Sequence, residues 1–298
     1  MQSSSKYFDN ESVFISKPRS FFQITAQQFA KNRLALACLI YISLLILMVI
    51  FAPIITKYDP TEMDADVAKQ PPSGQHFFGT DEGGRDTFSR VIYGGRISLR
   101  VGFISMALTV LVGLPIALMA GYYGGSFQFL ILRLTDLLMT FPGILLALIV
   151  VAVLGRGVDQ VMVAVGLANV PTFIRIVNSS VISVKENEYI TAAKSLGAND
   201  IRILWSHILQ NILAPIIVML TLYTASGLLA ASSLSFLGLG AQPPSPEWGA
   251  LISSGRYGIR NEPWLIAFPG LAIASVVISF NILGDTLRDA LDPYIRAR

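Results

Sequence analysis

Val101-Gly-Phe-Ile-Ser-Met-Ala-Leu-Thr-Val-Leu-Val-Gly-Leu-Pro-Ile-Ala-Leu-Met-Ala-Gly-Tyr122 runs for 22 residues without a charge. At 1.5 Å rise per residue, about 20 apolar residues in a helix cross the hydrocarbon core of a bilayer. The stretch therefore reads as a membrane span. It is a continuous run and does not alternate, which excludes a strand of a membrane barrel. Gly113, Ala117 and Gly121 recur at a spacing of four, stack on one face and let another helix approach closely.

Five further apolar runs lie at about 34–55, 137–154, 160–176, 212–237 and 264–283. The third and fourth are short, and each borrows a flank: 127–136 leads into the third, and residue 177 onward trails the fourth. The expected fold is an all-α integral membrane protein with six transmembrane helices. Composition agrees, because only 14% of the 298 residues are charged and 53% are hydrophobic, with a mean hydropathy of +0.60. A soluble domain carries about 25% charged residues. Low hydrophobicity is the signature of disorder, so that class is excluded too. The net charge of +3 comes without a basic patch, which argues against nucleic-acid binding.

Cys38 is the single cysteine, so neither an intrachain disulfide nor a cysteine-rich zinc site is expected. Its apolar run follows it instead of preceding it, so the first run reads as an uncleaved anchor. His76 and His207 lie far apart. Gly-Lys never occurs, which removes a phosphate loop, and neither a His-Glu-x-x-His nor a Gly-x-Ser-x-Gly motif is present. No catalytic residue and no cofactor or metal site is expected, and any ATPase belongs to another chain.

An even number of spans puts both termini on one side. The larger share of the 22 Lys and Arg falls inside if that side is the cytoplasm. Arg85, Arg90, Arg96 and Arg100, before the second span, run against this. If that loop lies outside, Asp81, Glu82 and Asp86 are expected to hold Arg85, Arg90 or Arg96 in a packed extracytoplasmic cap, as exposed pairs contributing about 0–1 kcal/mol each. Arg133 with Asp136, and Asp285 with Arg288, are spaced one helical turn apart and can pair. Gly83-Gly84 and Gly94-Gly95 read as turns, and Trp248 and Trp264 as interfacial anchors. Pro115, Pro142, Pro171, Pro215 and Pro269 punctuate the spans.

Between the fourth and fifth spans, residues 177–211 are not a plain loop. Glu188–Leu196 has helical propensity, Gly197 is a natural stop, and Asn199 or Asp200 can cap a second helix. Ala192 and Ala193 leave a flat small-residue face suited to a groove on a partner.

Tyr189-Ile-Thr-Ala-Ala-Lys-Ser-Leu-Gly197, followed by Ile208-Leu209, resembles the Glu-Ala-Ala loop of ABC importer permeases. Ala192, Ala193 and Gly197 match that motif, while Thr191 stands where Glu is usual and Gln210 where Pro is usual. Phe78-Gly-Thr-Asp-Glu-Gly-Gly-Arg-Asp-Thr-Phe-Ser-Arg90, with Gly95-Arg-Ile-Ser-Leu-Arg-Val-Gly102, is similar to the segment before the second span in peptide-importer permeases. Ser233-Leu-Ser-Phe-Leu-Gly-Leu-Gly-Ala-Gln-Pro-Pro-Ser-Pro-Glu-Trp-Gly249 resembles their loop after the fifth span. Asn281-Ile-Leu-Gly-Asp-Thr-Leu-Arg-Asp-Ala-Leu-Asp-Pro293 resembles their C-terminus.

The resemblance implies the C-type permease subunit of an oligopeptide, dipeptide or nickel importer in a bacterial inner membrane. Its implied partners are a sister permease, two ATP-binding subunits, an extracytoplasmic substrate-binding protein and membrane lipid. It also implies that residues 188–200 dock on the ATPase, with Tyr189, Thr191, Ala192, Ala193 and Gly197 in that contact. The resulting division is a cytoplasmic tail at 1–33, an anchor and outer loop at 34–94, a permease core at 95–285 and a short tail at 286–298. Thr109, Asn169, Thr172, Thr221, Tyr223, Ser226 and Ser275 are polar residues within the spans and are candidates to line the path. A stand-alone carrier or channel is the alternative, disfavoured by the absence of mid-span acids. A membrane enzyme is the third class, disfavoured by the absence of a nucleophile cluster.

Overall fold

A computed structural model describes residues 29–291 of the chain. The two end segments of the sequence-based division, 1–33 and 286–298, lie largely outside the described residues. Among the described residues the chain is helical, with one isolated bridge between Thr80 and Asp86 in place of a sheet. The principal helices are α1 (Arg33–Ile50), α2 (Thr87–Tyr123), α3 (Gly125–Met139), α4 (Gly143–Leu154), α5 (Val158–Lys185), α6 (Glu188–Ser195), α7 (Leu209–Phe236), α8 (Trp248–Gly255) and α9 (Trp264–Leu291). Among the described residues, five helices are long and apolar enough to cross a membrane, or up to six if the bent pair α3–α4 is one span.

That pair corrects the third run. Residues 137–154 are not one helix: α3 and α4 meet at 93°. Pro142 causes the break, because proline lacks the amide donor and disfavours helix at the residue before it. The second run also begins earlier than its hydropathy. Asp86 Oδ2 accepts the Ser89 amide at 2.7 Å, so α2 starts at Thr87 and continues for 37 residues. At 1.5 Å per residue that is about 55 Å, longer than the bilayer core is thick. Gly94-Gly95 therefore lie inside α2 and are not a turn.

α2 and α5 form the centre of the bundle. A Cβ on Gly113 would meet the Phe173 ring at 2.7 Å, and one on Gly121 would meet Val181 at 2.7 Å. The small residues thus allow the approach that their spacing implies. Two hydroxyls stitch the same contact: Ser105 Oγ donates to the Met162 carbonyl at 3.0 Å, and Thr109 Oγ1 to the Gly166 carbonyl at 2.8 Å.

α1 attaches to α9 at two polar points. Asn32 caps α1 through the Leu34 and Ala35 amides and donates to Thr286 Oγ1 at 3.1 Å, while Tyr41 and Ser275 share a bond of 2.6 Å. Trp248 is no interfacial anchor. It is buried, and its indole donates to the Val91 carbonyl at 2.8 Å, locking α8 onto α2.

Gly121→Val places two methyls against Val181, and such overpacking typically costs about 1–3 kcal/mol. It should lower the thermal midpoint of the detergent-purified chain by several degrees. Gly270→Ala, which lies inside α9 and meets nothing within 4 Å, should not lower the midpoint. Equal midpoints for the two variants would remove the close approach from the account of stability.

Candidate functional site

The segment after α5 is built as two short helical pieces around a glycine. Ile190 is buried and joins Ile203, Ile208 and Ile212 in one apolar cluster, which fixes α6 to the bundle. Gly197 has φ +83°, its amide donates to the Lys194 carbonyl at 2.9 Å, and the Ala198 amide returns to the Ala193 carbonyl at 3.1 Å. This is the expected left-handed stop. Asn199 Oδ1 then accepts the Arg202 amide at 2.8 Å and starts Asp200–Arg202. The helix passes through a π-helical turn, Ile203–Ile208, and runs straight into α7. π-Helical turns of this kind occur frequently at functional sites.

The outward side of this segment is bare. Tyr189, Thr191 and Ala192 are exposed and Ala193 is half-buried. Beside them Leu196 is 89% exposed, Ile201 69% and Trp205 61%. Leu196, Ile201 and Trp205 thus add large exposed apolar side chains to the same segment as the flat alanine face.

At the opposite end of α2 stands a polar cap. Asp81 Oδ2 lies 2.7 Å from Arg85 Nε and 3.6 Å from Arg90 Nε, and Arg90 also donates to the Pro60 carbonyl at 2.9 Å. The other expected pairings are replaced. Asp86 turns to His76 Nδ1 at 2.9 Å and to the start of α2. Arg96 donates to the Val49 and Ile50 carbonyls, 2.8 Å each, at the last turn of α1. Arg100 lies 3.7 Å from Asp159, and Glu82 lies 3.7 Å from Lys69. The cap is also less exposed than expected, since the Arg90 and Asp81 side chains are only 5% and 16% exposed. Arg133 does not pair with Asp136 either. Its guanidinium lies over Phe129, and Asp136 takes Arg175 at 2.8 Å.

The seven polar span residues do not share one surface. Thr109 is fully buried between α2 and α5, and Ser275 faces Tyr41 of α1. Thr221 returns its hydroxyl to the Val218 carbonyl at 2.7 Å. Asn169 and Thr172 are half-buried on α5, and Tyr223 is half-buried on α7 with its ring near Phe173, while Ser226 is exposed.

Glu247 escaped the sequence reading. It is buried, it caps α8 through the Ala250 amide at 2.9 Å, and it receives Ser98 Oγ at 3.2 Å. An acid between Pro246 and Trp248 ahead of an apolar stretch was the available cue.

Residues 113–297 match the family described as binding-protein-dependent transport system inner membrane components, and residues 20–72 match the N-terminal transmembrane domain of oligopeptide transport permease C. The chain is an ABC importer permease. The dipeptide transport system permease protein DppC of Alkalihalophilus pseudofirmus is 47% identical to this permease over 271 residues, 91% of this chain and 89% of the relative. The glutathione transport system permease protein GsiD of Escherichia coli is 44% identical over 271 residues, with the same shares covered. In fold, the permease is similar to a chain of the inward-facing MetNI methionine ABC transporter. The TM-score is 0.57 at 15% identity, over 68% of this chain and 96% of that one. The permease is thus a multi-pass component of the bacterial plasma membrane, and in its family ATP hydrolysis belongs to partner subunits.

The two classes of ion pair in the permease differ in what their loss costs. Asp81→Asn leaves buried Arg90 without its counter-charge, and breaking a buried pair costs about 3–5 kcal/mol. Asp136→Asn breaks a pair whose side chains are 57% and 41% exposed, worth about 0–1 kcal/mol. Asp81→Asn should sharply reduce folded permease in membranes, as judged by gel filtration of a fluorescent fusion, while Asp136→Asn should not. Similar profiles would contradict a buried cap.

Proposed function

We propose that this permease is one half of the membrane pathway of a peptide importer, with a sister permease completing it. Both termini and the 177–211 segment face the cytoplasm, and residues 56–100 face outside. Residues 1–33 form a tail, 34–94 an anchor with its outer loop, 95–285 the permease core and 286–298 the second tail. The match of residues 20–72 to a separate N-terminal domain family supports the added anchor. Peptide as the substrate class is supported by two relatives whose names specify a dipeptide and glutathione. Asn169, Thr172, Thr221, Tyr223, Ser226 and Ser275 keep some exposure with which to contact a solute, whereas Thr109 is fully buried.

The observation that carries the reading is the uncovered α6 surface. Helix α6 is the coupling helix. Tyr189, Thr191, Ala192 and Ala193 enter a groove on an ATP-binding subunit, Leu196, Ile201 and Trp205 widen the contact, and Gly197 sets the turn. Closure of the ATPases on ATP moves this segment, and the spans answer by rigid-body rearrangement that opens the path to alternate sides. An extracytoplasmic binding protein supplies the solute at the cap end.

Two measurements test this. Ala193→Trp blocks the face by bulk. Gly197→Val has open space around its Cβ, so its cost is the positive φ alone, roughly 1–2 kcal/mol. Since 1.4 kcal/mol is a factor of ten, either variant should lose ATPase subunits from tagged permease, and uptake with them, while still inserting in the membrane. Wild-type retention and uptake in both would make the segment an ordinary loop. For orientation, single cysteines at Ser73 and Ser195 in a Cys38-free background should react with an impermeant thiol reagent in intact cells at position 73 only. Preferential labelling at 195 would invert the topology.

A further inference from the structure

We propose that Tyr122 is the joint that carries movement of the coupling segment into α2, which makes it a positioning residue for transport and not a docking residue. The proposal rests on reading α6 as the coupling helix. Tyr122 stands one residue from the end of α2 and is 3% exposed. Its hydroxyl donates to Asp200 Oδ1 at 2.5 Å. Asp200 opens the helical turn that follows the Gly197 stop, and Asn199 already serves as its cap, so the Asp200 carboxylate is available to α2. The Tyr122 carbonyl accepts Lys185 Nζ, from the last residue of α5, at 2.5 Å. The Lys194 ammonium of α6 lies 5.0 Å from the centroid of the ring, and that of Lys185 lies 5.8 Å away. The ends of α2 and α5, helix α6 and the run into α7 therefore meet on one side chain.

The hydroxyl is the part that space-filling does not explain. A phenylalanine would occupy the same volume between the two lysines. What the oxygen adds is a charge-assisted bond to a carboxylate, shorter and stronger than a neutral one, from α2 to the moving segment. Asp200 is exposed and would be well solvated without it, so the bond is not forced by burial of the acid. On the far side of the joint Gly124 and Gly125, at φ +69° and +61°, separate α2 from α3. A displacement entered here travels the length of α2 to Val91, where Trp248 holds α8.

The test uses the complete transporter in proteoliposomes, with its ATPase subunits and binding protein. Three quantities are read: ATPase subunits retained, ATP hydrolysed, and labelled solute accumulated per ATP, with a dipeptide and glutathione as the probes. Tyr122→Phe, which lies outside the docking segment, should keep the ATPase subunits and basal hydrolysis while uptake per ATP falls about tenfold, and Asp200→Ala should lower uptake per ATP by the same factor. The double variant should be no worse than either single. Asp200→Asn, which retains an acceptor oxygen but loses the charge, should restore part of the uptake. Asp200 is a surface residue, so its variants report even if Tyr122→Phe folds poorly. Unchanged uptake per ATP in both single variants, additive losses in the double, or loss of the ATPase subunits in Tyr122→Phe would each overturn the proposal. Failure of the coupling-helix reading has a separate signature, namely Ala193→Trp and Gly197→Val that retain both ATPase subunits and uptake.

Discussion

The structure depends on the close approach of α2 and α5. In a bilayer the lipid tails are as apolar as leucine, so the hydrophobic effect does not hold helix to helix; packing and interhelical hydrogen bonds must. The α2–α5 contact supplies both. Gly113, Ala117 and Gly121 bring the backbone of α2 against Phe173 and Val181, and Ser105 and Thr109 donate across the gap to α5 carbonyls. Those carbonyls are exposed to a partner only because the small residues let the helices come near. The hydroxyls then add hydrogen bonds to the packing at the same contact.

With that contact in place, α2 acts as the shared strut of the bundle. It touches α1, α3, α5, α7, α8 and α9. Its first turns leave the apolar zone and carry the cap, where Arg90 is held by Asp81 and by the Pro60 carbonyl. Its other end lies under the segment that contains α6. One helix therefore joins the polar cap to the α6 segment. Burial at the cap fits this arrangement, since a loosely solvated cap would let the near end of α2 drift.

The apolar runs made the fold class legible, because a span's length is set by the bilayer and needs no knowledge of neighbours. The Gly197 stop was legible for a similar reason: it is a local backbone requirement, and the φ of +83° meets it. Partner choice was not legible. Asp136 stands one turn from Arg133 and pairs with Arg175, 39 positions away, because α5 packs there. Asp86 was grouped with the arginines by proximity in sequence and instead joins His76 and the α2 amides. The break at Pro142 was visible as a proline, but its angle was not, since other membrane helices here carry Pro115, Pro171, Pro215 and Pro269 without breaking. What separates Pro142 is its place between two short apolar arms, where α3 and α4 pack separately against α5.

The same distinction between local and long-range causes bears on how the α6 segment works. A face proposed to release and re-engage a partner cannot also be held by the bundle on that side, so its rigidity has to come from within and from behind. Both sources are present. The glycine turn and the Asn199 cap fix the segment's own backbone, and Ile190 buries its inner side among Ile203, Ile208 and Ile212. Burial alone, however, resists separation and not sliding, because apolar contacts are nondirectional. A directional bond between the segment and the spans is what converts a push into a defined displacement. The polar contacts at this end of α2 have the geometry for that, and the exposed alanines in front of them have none.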